Sequence, residues 1–248
     1  MELRNRLLTS LGFLIFFIIL YMIDNTYFTW LSLGIAYILA LLEAKSLFGL
    51  TTQKNYIYII GGVFWVCAIF FPSLSLVALF VVLYISVCLY KNKTNFDEIK
   101  LFLYPSVSFI LMFMLYVNYG MYTFIWLVLV VAIADSGAYF VGKKFGKTKF
   151  SEISPNKTLE GFFGAIVLGT IIGAFISPNY ISFISALVIS FVTTFVSIYG
   201  DLFQSYLKRK VGLKDSGNIL PGHGGILDRV DGHMFGVVAM YTLLSMIV

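Results

Sequence analysis

Charge is what this chain has least of. Of its 248 residues only 12% are Asp, Glu, Lys or Arg, while 60% are hydrophobic, and the mean hydropathy is +0.93. A soluble domain carries about a quarter charged residues, so the composition excludes one and makes the bilayer the solvent. Cysteine is nearly missing as well. Cys67 and Cys88 lie in separate apolar runs without a spacing motif and read as buried packing residues. The histidines are only two, His223 and His233, and without cysteine ligands they make no zinc pattern. No small-x-small cleavage site follows the first apolar run, after Arg4 and Arg6, so that run reads as a retained helix and not as a signal peptide.

What is present in quantity is long, non-alternating apolar sequence. Backbone groups in lipid must be paired internally, and runs of this kind pair them as helices. About nine segments emerge on the ~20-residue scale of a bilayer crossing: 6–23, 27–43, 56–71, 73–90, 101–119, 121–141, 161–177, 181–199 and 233–248. The expected fold is all-α, a polytopic integral membrane protein. With that count, all 17 Lys and Arg residues fall on one side together with the N-terminus, while the loops near Asp24, Pro72, Asn118 and Pro178 have none. Cytoplasmic loops carry the Lys and Arg excess, so the N-terminus and the polar loops are expected in the cytoplasm and the C-terminus outside. The chain divides into N-terminal helices, 1–120, with no motif to assign, and a C-terminal region, 121–248, that holds the polar chemistry.

That chemistry is concentrated in three clusters. Asp135, with Ser136 to Tyr139, lies near the end of the sixth run. It reads either as a carboxylate reaching for the interface or as the wall of a wet cavity. Next, Gly142 to Thr148 resembles a phosphate-binding glycine loop, but three residues separate its glycines where four are needed, and an apolar span precedes it. Ser154-Pro155-Asn156-Lys157-Thr158 reads instead as a turn entering the seventh run. It is either an ordinary helix start or a place where amides, hydroxyls and Lys157 hold phosphate oxygens.

The third cluster, Ser205 to Asp231, packs five cationic side chains, three carboxylates, a histidine and five glycines between two apolar segments. If the preceding helix continues through it, Asp201, Ser205 and Lys208 share one face. A carboxylate and a hydroxyl one turn apart suit a hard cation, and the neighbouring cations suit phosphate. Pro221 to Gly225 is a permissive loop whose amides can approach a phosphate. Asp228 and Asp231 flank Arg229. Oxygen ligands beside phosphates suit Mg²⁺. Each piece alone has a plain reading, as a salt-bridged turn or a topology anchor. Together they point to metal-assisted chemistry on a polyphosphate.

These residues resemble the signature of the CDP-diacylglycerol synthases, or phosphatidate cytidylyltransferases. The likeness runs unbroken from Ser205-x-Leu207-Lys208-Arg209 through Lys214-Asp215-x-Gly217 and Leu220-Pro221-x-His223-Gly224-Gly225 to Asp228-Arg229-Val230-Asp231. Asp135-x-x-Ala138-Tyr139 and Ser154-Pro155-x-Lys157-Thr158-x-Glu160-Gly161 are similar to further family elements, in the same order. One departure is Gln204, where relatives often have Glu.

The resemblance implies transfer of the cytidylyl group of CTP to phosphatidate, giving CDP-diacylglycerol and pyrophosphate. It implies Mg²⁺, with or without a second cation, and a homodimer in the cell (inner) membrane whose active site faces the cytoplasm. CTP, phosphatidate and the bilayer are then the partners, and nucleic acid is not. On this expectation Asp201, Ser205, Asp228 and Asp231 form the metal site, and Lys208 joins them as a catalytic group. Asp135, Ser154, Lys157, Thr158, Glu160, Arg209, Lys214, Asp215, His223, Gly224, Gly225 and Arg229 contact substrate. A related transferase acting on an ether-lipid phosphate or a polyprenol is the nearest alternative. A transporter with a cytoplasmic cation site is a more distant one, and it leaves Pro221–Gly225 and the lysines unexplained.

Overall fold

The computed structural model describes residues 2–50, 55–90, 96–220, 222 and 224–248. His223 and Pro221 of the glycine loop, and Lys54, Lys91 and Lys93 of the basic loops, lie outside the described residues. Eight helices stand among the described residues: α1 Glu2–Ile23, α2 Thr26–Leu47, α3 Asn55–Phe70, α4 Leu74–Tyr90, α5 Phe96–Phe145, α6 Leu159–Phe175, α7 Phe183–Lys210 and α8 Leu227–Ile247. Four of them, α2, α5, α7 and α8, are long and apolar enough to cross a membrane, and the other four supply shorter apolar helices. The chain is an all-α integral membrane protein.

The expected segments 101–119 and 121–141 both fall in α5, which is broken at Gly120 (φ 83°, ψ 169°). A positive φ costs a side-chain-bearing residue steric strain that glycine avoids, so the chain changes direction there without leaving helix on either side. The expected run 181–199 is the start of a longer helix. α7 continues to Lys210 and carries Asp201, Ser205 and Lys208 as helical residues.

Two compact units result: Met1–Val117 with Lys210–Arg229, and Asn118–Arg209 with Val230–Val248. In the first, α2 packs on α1 and α3, and α3 on α4. Asn25 caps α2, its Oδ1 accepting the amides of Tyr27 (3.0 Å) and Phe28 (3.1 Å), a short polar side chain meeting donors that the first helical turn leaves unpaired. Tyr37 is fully buried. Its ring stacks on Trp65 at 5.3 Å and meets Phe64 and Phe109, while its hydroxyl pairs with Ser106 Oγ at 2.8 Å. The Trp30 indole N–H donates to the Trp65 carbonyl (2.9 Å), and the Trp65 indole N–H donates to the Trp30 carbonyl (3.1 Å). Cys67, on α3, is half-buried and free.

The second unit is assembled on the small residues of α6. Gly161, Gly164, Gly169 and Gly173 are all buried. A Cβ built on Gly164 would lie 2.5 Å from Val141 Cβ, and one on Gly169 would lie 2.4 Å from Thr194 Oγ1, so α5 and α7 approach the α6 backbone too closely for a side chain. Lipid provides no hydrophobic drive between helices, and small residues that let backbones approach replace it with packing. Trp126 on α5 adds a bond from its indole N–H to the Gly173 carbonyl at 2.7 Å. Gly164→Leu should therefore separate α5 from α6 and destabilise the protein by roughly 1–3 kcal/mol, the usual cost of overpacking. Thermal unfolding in detergent reads this as a lowered midpoint.

Candidate active site

The second unit contains a cavity of about 350 Å³. Its lining includes Asp135 and Tyr139 of α5; Phe150, Ser154, Asn156, Lys157 and Thr158 of the connection to α6; Phe162 of α6; and Asp201 of α7. The sequence reading assigned five of these residues to the site, Asp135, Ser154, Lys157, Thr158 and Asp201, and gave Phe150 and Phe162 no role.

The connection is shaped by its own hydrogen bonds. Lys157 N donates to Ser154 O at 3.0 Å, closing a turn around Pro155, a residue whose fixed φ suits that corner. Phe150 N donates to Lys157 O (2.8 Å) and Leu159 N to Thr148 O (2.9 Å), so the two limbs run against each other. Thr158 caps α6 by accepting the Gly161 amide on Oγ1 at 3.1 Å. Glu160, in the first turn, accepts the amides of Lys147 (3.1 Å) and Thr148 (3.2 Å). Its own backbone N–H and those of Lys147 and Thr148 hold this carboxyl below the usual carboxylate range. The Phe150 ring stacks on Phe162 at 4.8 Å, tying the turn to α6. Thr158 and Glu160, expected to touch substrate, are thus visibly occupied in building the turn that presents Lys157.

Lys157 forms a salt bridge with Asp201, with both side chains about a third exposed (28% and 31%). Asp201 also accepts from Ser205 Oγ at 3.4 Å, one turn further along α7. Asp231, half-buried on α8, lies within electrostatic reach of Asp201, Asp135 and Lys208. Lys208 is itself buried, at 8% exposure. Three carboxylates and two lysines are thereby gathered in one unit from α5, the turn, α7 and α8. Arg209 is exposed at the end of α7. Gln204 is fully buried, and a neutral amide there avoids the desolvation that a carboxylate would suffer.

The other expected site residues belong to the first unit. Asp228 Oδ2 accepts the amides of Ser216 (2.8 Å) and Gly225 (3.0 Å). Gly224 has φ +78°, and a Cβ there would lie 2.6 Å from Asp228 Oδ2. Leu220 N bonds Gly224 O at 2.9 Å, closing the glycine loop. Lys214 and Asp215 are exposed on the loop, as is Arg229 beyond it. A further carboxyl group, Glu43 of α2, enters this loop from a helix to which the sequence reading gave no role. The signal was available: an ionisable residue in an apolar helix is uncommon and marks a polar task.

A polytopic helical protein with an acidic, lysine-bearing cavity is the class these features define. Comparison with known proteins is more specific. The model of the cytidylyltransferase family matches residues 4–247. A phosphatidate cytidylyltransferase of Helicobacter pylori (strain J99) is 39% identical over 97% of this chain and 91% of its own length. One from Bacillus subtilis (strain 168) is 40% identical over 68% of each chain. The chain belongs to the cytidylyltransferase family and is a nucleotidyltransferase.

The geometry of the turn makes one prediction independent of chemistry. Glu160→Ala releases the Lys147 and Thr148 amides, and their hydrogen exchange should quicken by about tenfold or more, the worth of a hydrogen bond to a charged group. Amide exchange read by mass spectrometry over 146–150 checks it.

Proposed function

We propose that this protein transfers the cytidylyl group of CTP to phosphatidate, giving CDP-diacylglycerol and pyrophosphate for phospholipid synthesis. The observation that carries this reading is the cavity lined by Asp135, Lys157 and Asp201, in which Lys157 meets Asp201, in a chain of the cytidylyltransferase family.

Lys157, Lys208 and Arg209 hold phosphate oxygens of the substrates, and Lys157 exchanges its bond to Asp201 for one to phosphate. A phosphatidate oxygen attacks the α-phosphorus of CTP. The new P–O bond forms as the bond to the β-phosphate oxygen breaks, and pyrophosphate leaves with that electron pair. The attacking oxygen is already anionic at neutral pH, so no protein nucleophile is required. Positioning and fixed positive charge then carry most of the acceleration. Tyr139, Phe150 and Phe162 supply the apolar wall of the cavity.

Among the described residues no three His, Cys, Asp or Glu side chains form a ready metal cluster. The donor set nonetheless fits a hard cation in kind, because Asp201, Asp231, Asp135 and Ser205 offer only oxygen, and Ser205 Oγ lies one turn from Asp201 on α7. We assign Mg²⁺ to Asp201 and Asp231, with Ser205 beside them. When bound, Mg²⁺ would offset the charge of the phosphates and of the leaving pyrophosphate. Asp228, the other expected ligand, orders the loop of the first unit through its Oδ2. The cavity opens to the cytoplasm in this reading, where CTP resides, and the diacyl tails stay in the bilayer.

Purified protein with CTP, phosphatidate and Mg²⁺ should release pyrophosphate, and it should do so less well with other lipid phosphates or other nucleotides. No release under these conditions would refute the reading. Asp201→Asn should lower turnover by about a thousandfold while the protein stays folded, and retained turnover would remove its assigned role. A reporter fused after Val248 should report the outside of the cell, and a cytoplasmic signal would overturn the orientation.

A further inference from the structure

Gly142 to Thr148, whose spacing fails that of a phosphate-binding loop, ends α5. Gly146 N donates to Gly142 O at 2.9 Å. A Cβ on Gly146 would lie 2.7 Å from Thr158 Cγ2, and one on Gly161 would lie 2.7 Å from the Ala138 carbonyl oxygen. The glycines thus serve to bring the last turns of α5 against the start of α6. The two lysines between Gly142 and Gly146 are left exposed.

Lys143 and Lys144 both lie in the last turn of α5, where the helix dipole favours a cation. The dipole accounts for the presence of both, but not for what each rests on. Lys143 Nζ stands 5.6 Å from the centre of the Tyr139 ring, within reach of a cation–π contact, and 3.4 Å from its hydroxyl. Tyr139 belongs to the cavity wall together with Asp135, Lys157 and Asp201. Lys144 Nζ stands 5.2 Å from the Phe145 ring, which is not part of that wall. Among the described residues neither lysine has a carboxylate partner.

The surroundings of Lys143 are apolar. Tyr139 is 60% exposed, and its ring meets that of Phe140, 67% exposed, edge-on at 5.4 Å. These residues fall in the last two turns of a helix apolar enough to cross a membrane. Tyrosine and lysine at the end of such a helix mark the headgroup level of the bilayer. A cation seated on one ring, with a second bare ring beside it, matches a molecule that presents an anion and hydrocarbon together. At that depth the molecule is a phospholipid.

We propose that Lys143 is a substrate-binding residue: with the Tyr139 ring it docks the anionic headgroup of the phospholipid substrate at the edge of the cavity whose far partner is Lys157. This rests on the functional reading above.

Steady-state kinetics in mixed micelles give the first test. Lys143→Gln should raise KM for phosphatidate about fivefold, the effect of one lysine beside an anionic headgroup, while KM for CTP stays within about twofold. Lys143→Arg, which keeps the charge and can still stack on the ring, should restore KM for phosphatidate. Lys144→Gln removes the same charge from the same turn and should leave it within about twofold. Equal rises for Lys143→Gln and Lys144→Gln overturn the proposal in favour of a general attraction between a basic helix end and anionic lipid. An unchanged KM for phosphatidate in Lys143→Gln, or a rise confined to CTP, overturns it as well.

The second test needs no turnover. Dioctanoyl phosphatidate in neutral detergent should raise the thermal unfolding midpoint of the wild type, and raise that of Lys143→Gln less. Dioctanoyl phosphatidylcholine and inorganic phosphate at the same concentration should raise neither. No shift with dioctanoyl phosphatidate, an equal shift in both proteins, or an equal shift with inorganic phosphate would end the proposal. A wild-type protein that releases no pyrophosphate refutes the functional reading instead, and the unfolding midpoints then judge the lipid site by themselves.

Discussion

A charge carried into a hydrocarbon solvent must find its partners inside the protein, because none are available in the lipid. Much of this structure follows from that constraint. Lys157 is paired with Asp201. Asp231 shares its surroundings with Lys208. Asp228 Oδ2 and both oxygens of Glu43 are met by amides and a hydroxyl of the loop they organise. The apolar helices can be long and nearly featureless because the polar groups have been moved to a few places where each is answered.

The same constraint explains how the two units are held internally. The first is packed around aromatic side chains, with Tyr37 at the centre of a cluster formed by Phe64, Trp65 and Phe109. The second relies on small residues of α6, against which α5 and α7 lie close. Rings fill volume, and glycines remove the need to fill it. Both raise contact density without adding groups that lipid would leave unpaired.

The fold class was open to sequence reasoning because hydropathy and charge segregation are summed over many residues. The turn at Pro155 and the shared face of Asp201 and Ser205 were open to it because they depend on local spacing. Segment boundaries were less accessible. Gly120 breaks α5 without ending it, and nothing in an apolar run marks that difference. The local partners of the site residues were also hidden. Glu160 accepts the Lys147 and Thr148 amides, and Asp228 Oδ2 accepts those of Ser216 and Gly225, bonds that the motif spacing alone does not show. Glu43 was hidden for the opposite reason: its partners are Ser216, Ile226 and Leu227, far away in the chain, and no local pattern connects them.

The paired indoles of Trp30 and Trp65 have a mechanical consequence. Each donates to the other's backbone carbonyl, so α2 and α3 are pinned in register along their axes. Glu43 stands on the pinned helix, about 20 Å along the axis from Trp30 at 1.5 Å per residue. When bilayer thickness changes, hydrophobic mismatch is relieved by tilting or kinking of helices or by deforming the lipid. Sliding of α2 past α3 is closed off here. The two helices must tilt as one, and the loop that Glu43 holds travels with them.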